Sequence, residues 1–124
     1  MTIHTPGMER QHAALSALSS RYVEVLSLPW QETRHKGIRI KVLMQDPETG
    51  LQTILTQMDP ESILPDHMHM HVEQSWVIHG SLLDHEGEAT AGNYVWRPAG
   101  SRHSARSPNG ALILSFFLKP NHFY

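Results

Sequence analysis

The sequence predicts an all-β domain, a β-sandwich or barrel preceded by one short N-terminal helix. About eight short segments alternate apolar and polar side chains, a pattern typical of half-buried strands. Turns that contain glycine or proline separate these segments along most of the chain. The 124 residues show no internal repeat, low-complexity tract or linker, so a single domain is expected.

The first 20 residues differ from the rest in composition. Residues Met8 to Leu18 are rich in alanine and leucine, which favour helices, and Thr5 and Pro6 suit a helix N-terminus. The apolar face of this helix could pack on the body or on a partner chain, and a frayed tail is the alternative. We therefore divide the chain into an N-terminal segment, 1–20, and a barrel, 21–124.

The next part of the chain reads as β-structure. Residues Tyr22 to Leu26 alternate and end before Pro29. Residues Gly37 to Met44 alternate apolar and basic side chains, and Leu51 to Met58 is the returning strand. Between them, Asp46 to Gly50 forms a turn in which proline fixes φ and glycine accepts a positive φ. These two strands predict a hairpin.

The second half predicts shorter strands. Residues Pro60 to Pro65 read as a loop. The last expected strand, Ala111–Leu118, is strongly apolar. The expected strands are Glu73–Ile78, Ser81–His85, Tyr94–Arg97 and Ala111–Leu118, with a turn at Gly80 after the first. Large aromatic side chains are expected in the core, namely Trp76, Tyr94, Trp96, Phe116 and Phe117.

The composition excludes several classes of function. The net charge of −2 offers no basic excess for nucleic acid or for an anionic membrane. No stretch approaches the roughly 20 apolar residues of a membrane span, and no secretory signal is recognisable, so a cytoplasmic protein is expected. Cysteine is absent, so a bound metal must use nitrogen and oxygen ligands.

Histidine is the one outlier, with ten residues in the chain. His67 and His69 lie two positions apart, so in a strand both imidazoles point to the same face. Glu73 can reach the same point after a short turn. Imidazole and carboxylate are ligands that divalent iron, zinc, nickel and manganese accept. The stretch therefore predicts a metal site.

A second motif follows the first. It comprises Gly92, then Pro98-x-Gly100, then His103. Together with His67-x-His69, Glu73 and Gly80, this spacing resembles the two signature motifs of the cupin superfamily. The leading glycine of the first motif is missing, and Ser107 stands where asparagine often closes the second.

The resemblance implies a cupin jelly-roll barrel. It also implies that His67, His69, Glu73 and His103 are the metal ligands. The segments Asp46–Gly50, Gly80–Asp84 and Pro98–Ser104 further resemble the cupin domain of ChrR-type anti-sigma factors and related small cupin dioxygenases. Because the sequence has no cysteine for the zinc site of the anti-sigma half of those regulators, an anti-sigma role is not expected.

Two other histidines lie near the motif. His71 continues the alternating series, but we expect it at the rim or in a hydrogen bond to the site rather than on the metal. His79 shares the inward parity of Glu73 and could equally touch the pocket or be solvated. No general base is identifiable.

Three functions fit this reading. The first is an iron(II) dioxygenase acting on a small oxygenated organic substrate. The second is a non-enzymatic sensor that binds metal or a small ligand, and the third is a zinc or nickel isomerase. Similar cupins do all three, so the ligands alone do not separate them. Because cupins usually pair their sheets, the resemblance also implies a homodimer.

Overall fold

The computed structural model describes residues 3–124, which contain ten strands and little helix. The helix α1 spans Glu9–His12, and a 3-10 helix spans Val25–Ser27. The strands are β1 (Gln31–Glu32), β2 (Ile38–Gln45), β3 (Gln52–Met58), β4 (Ser62–Met68), β5 (Glu73–Leu83), β6 (Glu88–Thr90), β7 (Tyr94–Arg97), β8 (Arg102–Ser107), β9 (Ala111–Phe117) and β10 (His122–Phe123). The predicted all-β fold is confirmed.

The strands form a curled antiparallel sheet of the jelly-roll type. Its main order is β1-β2-β3-β9-β5-β8-β4-β10, and β6 and β7 both pair with β5. Residues Glu73 to Gly80 of β5 pair with β9 and the first four of them also with β7, whereas Leu83, its last residue, pairs with β8. Strand β5 therefore joins the two halves of the sheet and closes the barrel.

Strand β5 continues through Gly80, where the sequence predicted a turn. Its register with β9 shifts between Val77 and His79, and Gly80 has a φ of 74°. A Cβ at Gly80 would lie 1.9 Å from the carbonyl oxygen of Gly110, so only glycine fits there. The predicted turn is therefore a bend within one strand.

The β2–β3 hairpin lies where it was predicted, but two other segments differ. Residues predicted as a loop, Pro60 to Pro65, lie largely in β4, which pairs with β8. The register shifts between Leu64 and His67, so the irregularity accommodates Pro65. The predicted strand Tyr22–Leu26 is absent, and part of it forms the 3-10 helix.

The N-terminal segment lies against the outside of the barrel. The predicted helix over Met8–Leu18 is reduced to one turn, α1. The hydroxyl of Thr5 donates to the carbonyl of Leu43 at 2.7 Å, and Met8 and Leu28 are buried. Tertiary contacts thus hold this segment in place although most of it is not helical.

Lys41 shows how closely the chain before β1 packs on β2. It alternates with the inward residues of β2, yet it is only 5% exposed. Its ammonium group donates to the carbonyl of Val25 at 2.8 Å and lies 4.7 Å from the ring centroid of Trp30. A hydrogen bond and a cation–π contact therefore replace the water that this charge loses.

The apolar core fills one end of the barrel, and its members are Ile38, Met58, Val77, Leu82, Ala105, Ala111 and Ile113. The aromatic side chains predicted in the core are mostly outside it. Trp76, Tyr94, Trp96 and Phe116 are between 44% and 58% exposed on the outer face. Their strand parity, opposite to that of Val77 and Ile113, turns them outward. Residues 3–124 contain no helix long and apolar enough to cross a bilayer.

Candidate metal centre

Three histidines converge at the other end of the barrel. Each of His67, His69 and His103 offers one ring nitrogen, and these nitrogens lie within 4.8 Å of one another. The ring centroids are 4.6 to 5.0 Å apart. All three residues are buried, and His69 has no exposed surface. The two sequence motifs therefore meet in one cluster that could hold a metal ion.

Backbone pairing brings the two motifs together. His67 of β4 lies directly opposite His103 of β8. His69 lies just beyond β4, and its N–H donates to the carbonyl of Ser101 at 2.8 Å, while its carbonyl accepts from the N–H of Gly100 at 2.7 Å. Gly100 has a φ of 87°, which the Pro98-x-Gly100 turn requires. The turn thus fixes His69 directly.

Each imidazole is oriented through its Nδ1 atom. Nδ1 of His67 lies 2.7 Å from the carbonyl oxygen of Pro65, and Nδ1 of His69 lies 3.1 Å from that of Ser101. Nδ1 of His103 lies 3.1 Å from a carboxylate oxygen of Asp84. Because each neighbour is an acceptor, each Nδ1 carries the proton. The lone pair is then on Nε2, the form in which histidine binds a metal.

Glu73 borders the cluster at the start of β5. One carboxylate oxygen lies 2.7 Å from Nε2 of His69, and both side chains are nearly buried. Within residues 3–124, however, Nε2 of His69 is a buried atom without a hydrogen-bond partner. A lone pair on Nε2 facing a carboxylate is unfavourable unless a cation lies between or beside them. The donor set therefore fits a divalent metal ion.

The electrostatics of the cluster favour neutral rings. Burial, followed by the positive charge of Arg97, lowers the pKa of His103 to about 4. Burial also lowers the pKa of His67, against the opposing hydrogen bond with the Pro65 carbonyl. Both imidazoles are therefore uncharged at neutral pH. No proton needs to be displaced from them before metal binding.

Asp84 is a part of the site that the sequence did not reveal. Its side chain is 5% exposed and accepts from His103, from Arg97 and from the backbone N–H groups of Glu86 and Gly87. Burial alone would raise the pKa of Asp84, but these amides and Arg97 lower it. In the sequence only its position before a Glu-Gly turn was visible, which is an ordinary signal for a turn.

The C-terminal strand closes one side of the cluster. Phe123 of β10 lies opposite His67 of β4, and the two ring centroids are 5.0 Å apart. The same phenyl ring lies 4.9 Å from the ring of His35. The sequence did not predict β10, because two residues of strand give no periodicity to read.

The remaining histidines of the motif lie outside the cluster. His71 is exposed, and its Nδ1 accepts from the N–H of Val72 at 2.7 Å. His79 is exposed as well, because the register shift in β5 reverses its parity relative to Val77. The structure therefore brings His67, His69 and His103 together, places Glu73 against His69, and leaves His71 and His79 in solvent.

Comparisons with solved structures support this fold. The acetylacetone dioxygenase from Acinetobacter johnsonii has a TM-score of 0.78 at 20% identity, over 87% of this chain and 80% of its own. A candidate acetylacetone dioxygenase from Methylibium petroleiphilum PM1 has a TM-score of 0.79 at 24% identity, over 88% and 83%.

The anti-sigma factor ChrR, in its complex with SigE from Rhodobacter sphaeroides, also matches. Its TM-score is 0.65 at 20% identity, over 75% of this chain and 50% of that chain. No curated protein matches the sequence. The sequence model of the ChrR cupin-like domain matches residues 18–121, which include the whole histidine cluster and every strand except β10. The chain therefore belongs to the ChrR cupin-like domain family.

Proposed function

We propose that this chain is a metal-dependent enzyme, an iron(II) dioxygenase that acts on a small oxygenated organic substrate. The observation that carries the proposal is the buried Nε2 atom of His69, which faces the Glu73 carboxylate and has no hydrogen-bond partner among residues 3–124. His67 and His103 complete the proposed donor set, with Glu73 as a fourth ligand. Two of the solved structures that share the fold are described as acetylacetone dioxygenases, one of them a candidate.

The chain's own residues account for binding and orientation. The three histidines hold the ion through Nε2, while the Pro65 carbonyl, Ser101 and Asp84 keep the proton on each Nδ1. When bound, iron(II) supplies open coordination positions for substrate oxygens and the redox chemistry with dioxygen. Zinc, nickel and manganese accept the same ligands, so the metal must be identified by experiment.

The test begins with protein purified without oxygen and loaded with iron(II). Oxygen uptake is measured with a panel of β-diketones and hydroxyketones. We expect substrate-dependent uptake in the wild type and none in His69→Ala, which should also lose stoichiometric metal. Oxygen uptake by His69→Ala would contradict the dioxygenase. A wild type that takes up no oxygen with any substrate of the panel would contradict it as well.

The resemblance to ChrR favours one second candidate, a sensor that binds metal or a small ligand without turnover. ChrR shares the fold over half of its own length. Saturable ligand binding by the metal-loaded protein without any product would support the sensor. Turnover by the zinc- or nickel-loaded protein without oxygen would instead support an isomerase.

We also propose a homodimer through the outer aromatic face. One row of paired residues crosses this face from Leu55 through Leu114 to Trp76 and Tyr94. On the β2 side of this row, Leu55 is buried beside its partner Lys41, which donates to Val25 of the chain before β1, whereas Trp76 and Tyr94 are each 47% exposed. A second copy could cover the aromatic half, so Trp76→Ser should shift the mass in solution from dimer to monomer. A monomeric wild type would contradict the dimer.

A further inference from the structure

The positively charged side chain of Arg97 points into the barrel beside the histidine cluster. It lies on β7 directly opposite Glu73, so both residues share the inward face. Its side chain is only 11% exposed. Arg97 is not among the proposed metal ligands, and it is linked to His103 through Asp84, which accepts from both side chains.

Asp84 fixes only one side of the guanidinium. Within the described residues, the hydrogen bonds of this group go to Asp84 alone, through Nη1. A guanidinium has five N–H donors in a rigid fork. Several donors therefore remain for another acceptor, while Asp84 holds the fork in one orientation. Such a half-used, nearly buried fork suits the binding of an oxyanion.

Arg97 lines a pocket that a small molecule can enter, and Glu86 and Glu88 line the same pocket. Arg97, Asp84 and His103 line a common pocket of about 380 Å³. This volume is near the lower end of the roughly 300–1,000 Å³ typical of ligand pockets. A ligand in this pocket would lie against a residue of the histidine cluster and a fixed cation at the same time.

Arg102 lines the same pocket and provides the contrast. Its side chain is 53% exposed, and Nε and Nη2 both donate to Asp66 on the surface. Its guanidinium carbon lies 3.7 Å from the ring centroid of Tyr124. The group is thus engaged outside the barrel, which leaves Arg97 as the pocket cation held inward.

We propose that Arg97 is a substrate-binding residue that holds an anionic oxygen, a carboxylate or an enolate, of a small organic acid. A second oxygen of the same molecule then reaches the metal position at His67, His69 and His103. This inference rests on the proposed function, since it assumes that the histidine cluster holds a metal. It narrows the substrate class to oxygenated compounds that carry a negative charge in the bound state.

Calorimetric titration of the nickel-loaded protein tests the inference without turnover. The probes are pyruvate, acetylacetone and the uncharged methyl pyruvate. Arg97→Met should weaken pyruvate binding about tenfold or more, because a charge-assisted hydrogen bond is lost. Methyl pyruvate should bind both proteins alike, and Arg102→Met should retain the wild-type affinity for pyruvate.

A second variant guards against misfolding, because Arg97→Met leaves the buried Asp84 carboxylate without its arginine partner. The double variant Arg97→Met/Asp84→Asn removes both charges and is compared with Asp84→Asn alone, at saturating nickel. The same tenfold loss is expected between these two proteins. Equal pyruvate affinity with and without Arg97, or an equal loss for methyl pyruvate, would overturn the proposal.

The two possible failures are distinguishable. A wild-type protein that binds no nickel contradicts the metal site of the proposed function and this inference with it. Equal pyruvate affinity of the nickel-loaded wild type and Arg97→Met contradicts the role of Arg97 and leaves the metal site in place. Wild-type protein that holds nickel but binds neither pyruvate nor acetylacetone contradicts the anionic substrate class.

Discussion

The two ends of the barrel interior are built on the same strands but differ in chemistry. On β8, His103 and Ala105 lie two residues apart on one face, yet His103 belongs to the metal cluster and Ala105 to the apolar core. Strand β5 likewise carries Glu73 at the polar end and Val77 in the core. Alternation along a strand therefore decides which side chains point inward, but not whether the inward side chains at each end of the barrel are polar or apolar.

This difference assigns separate tasks to the two ends. The apolar end can supply most of the hydrophobic stabilisation, since burying side chains such as Ile38 and Val77 removes apolar area from water. The polar end buries groups that cost free energy unless they are hydrogen-bonded or bound to a metal. Substitutions at the two ends should therefore separate folding stability from metal binding.

The largest expected effect is at the apolar end. Ile38→Ala should lower the free energy of unfolding by about 2–5 kcal/mol, because a fully buried isoleucine leaves a cavity. Urea denaturation measures this loss, and metal stoichiometry of the folded protein should not change. Ile63→Ala, on a side chain that is 59% exposed, is the matched control and should cost no more than about 0.5 kcal/mol. Similar costs for both would contradict the location of the core.

The next effect is the pH dependence of the metal-free protein. The pKa of His103 falls from 6.5 to about 4 on folding, so between these values the unfolded chain binds more protons. The contribution of His103 to the free energy of unfolding, about 3 kcal/mol, is present above pH 6.5 and is lost as the pH falls towards 4. The lowered pKa of His67 acts in the same direction.

Urea denaturation at a series of pH values measures this slope. His103→Asn should flatten the profile between pH 6.5 and 4, because the substituted side chain does not titrate. Ile63→Ala, which removes no ionisable group, is the control and should keep the slope of the wild type. An unchanged slope in His103→Asn would show that this ring is not held neutral by burial.

A smaller effect is expected from the hydrogen bond that orients His103. Asp84→Asn should weaken metal binding about 10- to 100-fold, because the charged acceptor of the Nδ1 proton is lost. Competition with a chromogenic chelator measures the change. Asp66→Asn is the control, since Asp66 pairs with the exposed Arg102 outside the cluster. Equal metal affinities of the two variants would show that Asp84 stabilises its turn and does not support metal binding.

The comparison also explains what the sequence could predict. The i+2 rule placed His67 and His69 on one face, and the resemblance of the Gly92-to-His103 motif to the cupin signature added His103. Asp84 could not be found in this way, since its partners Arg97 and His103 lie 13 and 19 residues further along the chain. Such a pairing depends on how strands meet, and that information is not local.

Outward and inward faces were harder to assign than strands. Trp76 and Trp96 were expected in the core from their size alone, but their parity turns them outward. The register shift that exposes His79 could not be read from the sequence, because a bulge inserts one residue without changing the composition. Pro65 obscured β4 for a similar reason, since proline argues against a regular strand.

The smallest expected effect is at His71, next to the polar end. His71→Ala should leave metal stoichiometry unchanged, because this side chain is exposed and its Nδ1 accepts from the Val72 N–H. The same substitution at His69, two residues away, should remove stoichiometric metal. Metal analysis of the two purified variants makes this comparison, since both replace a histidine with alanine. Loss of metal from His71→Ala would place a fourth imidazole in the site.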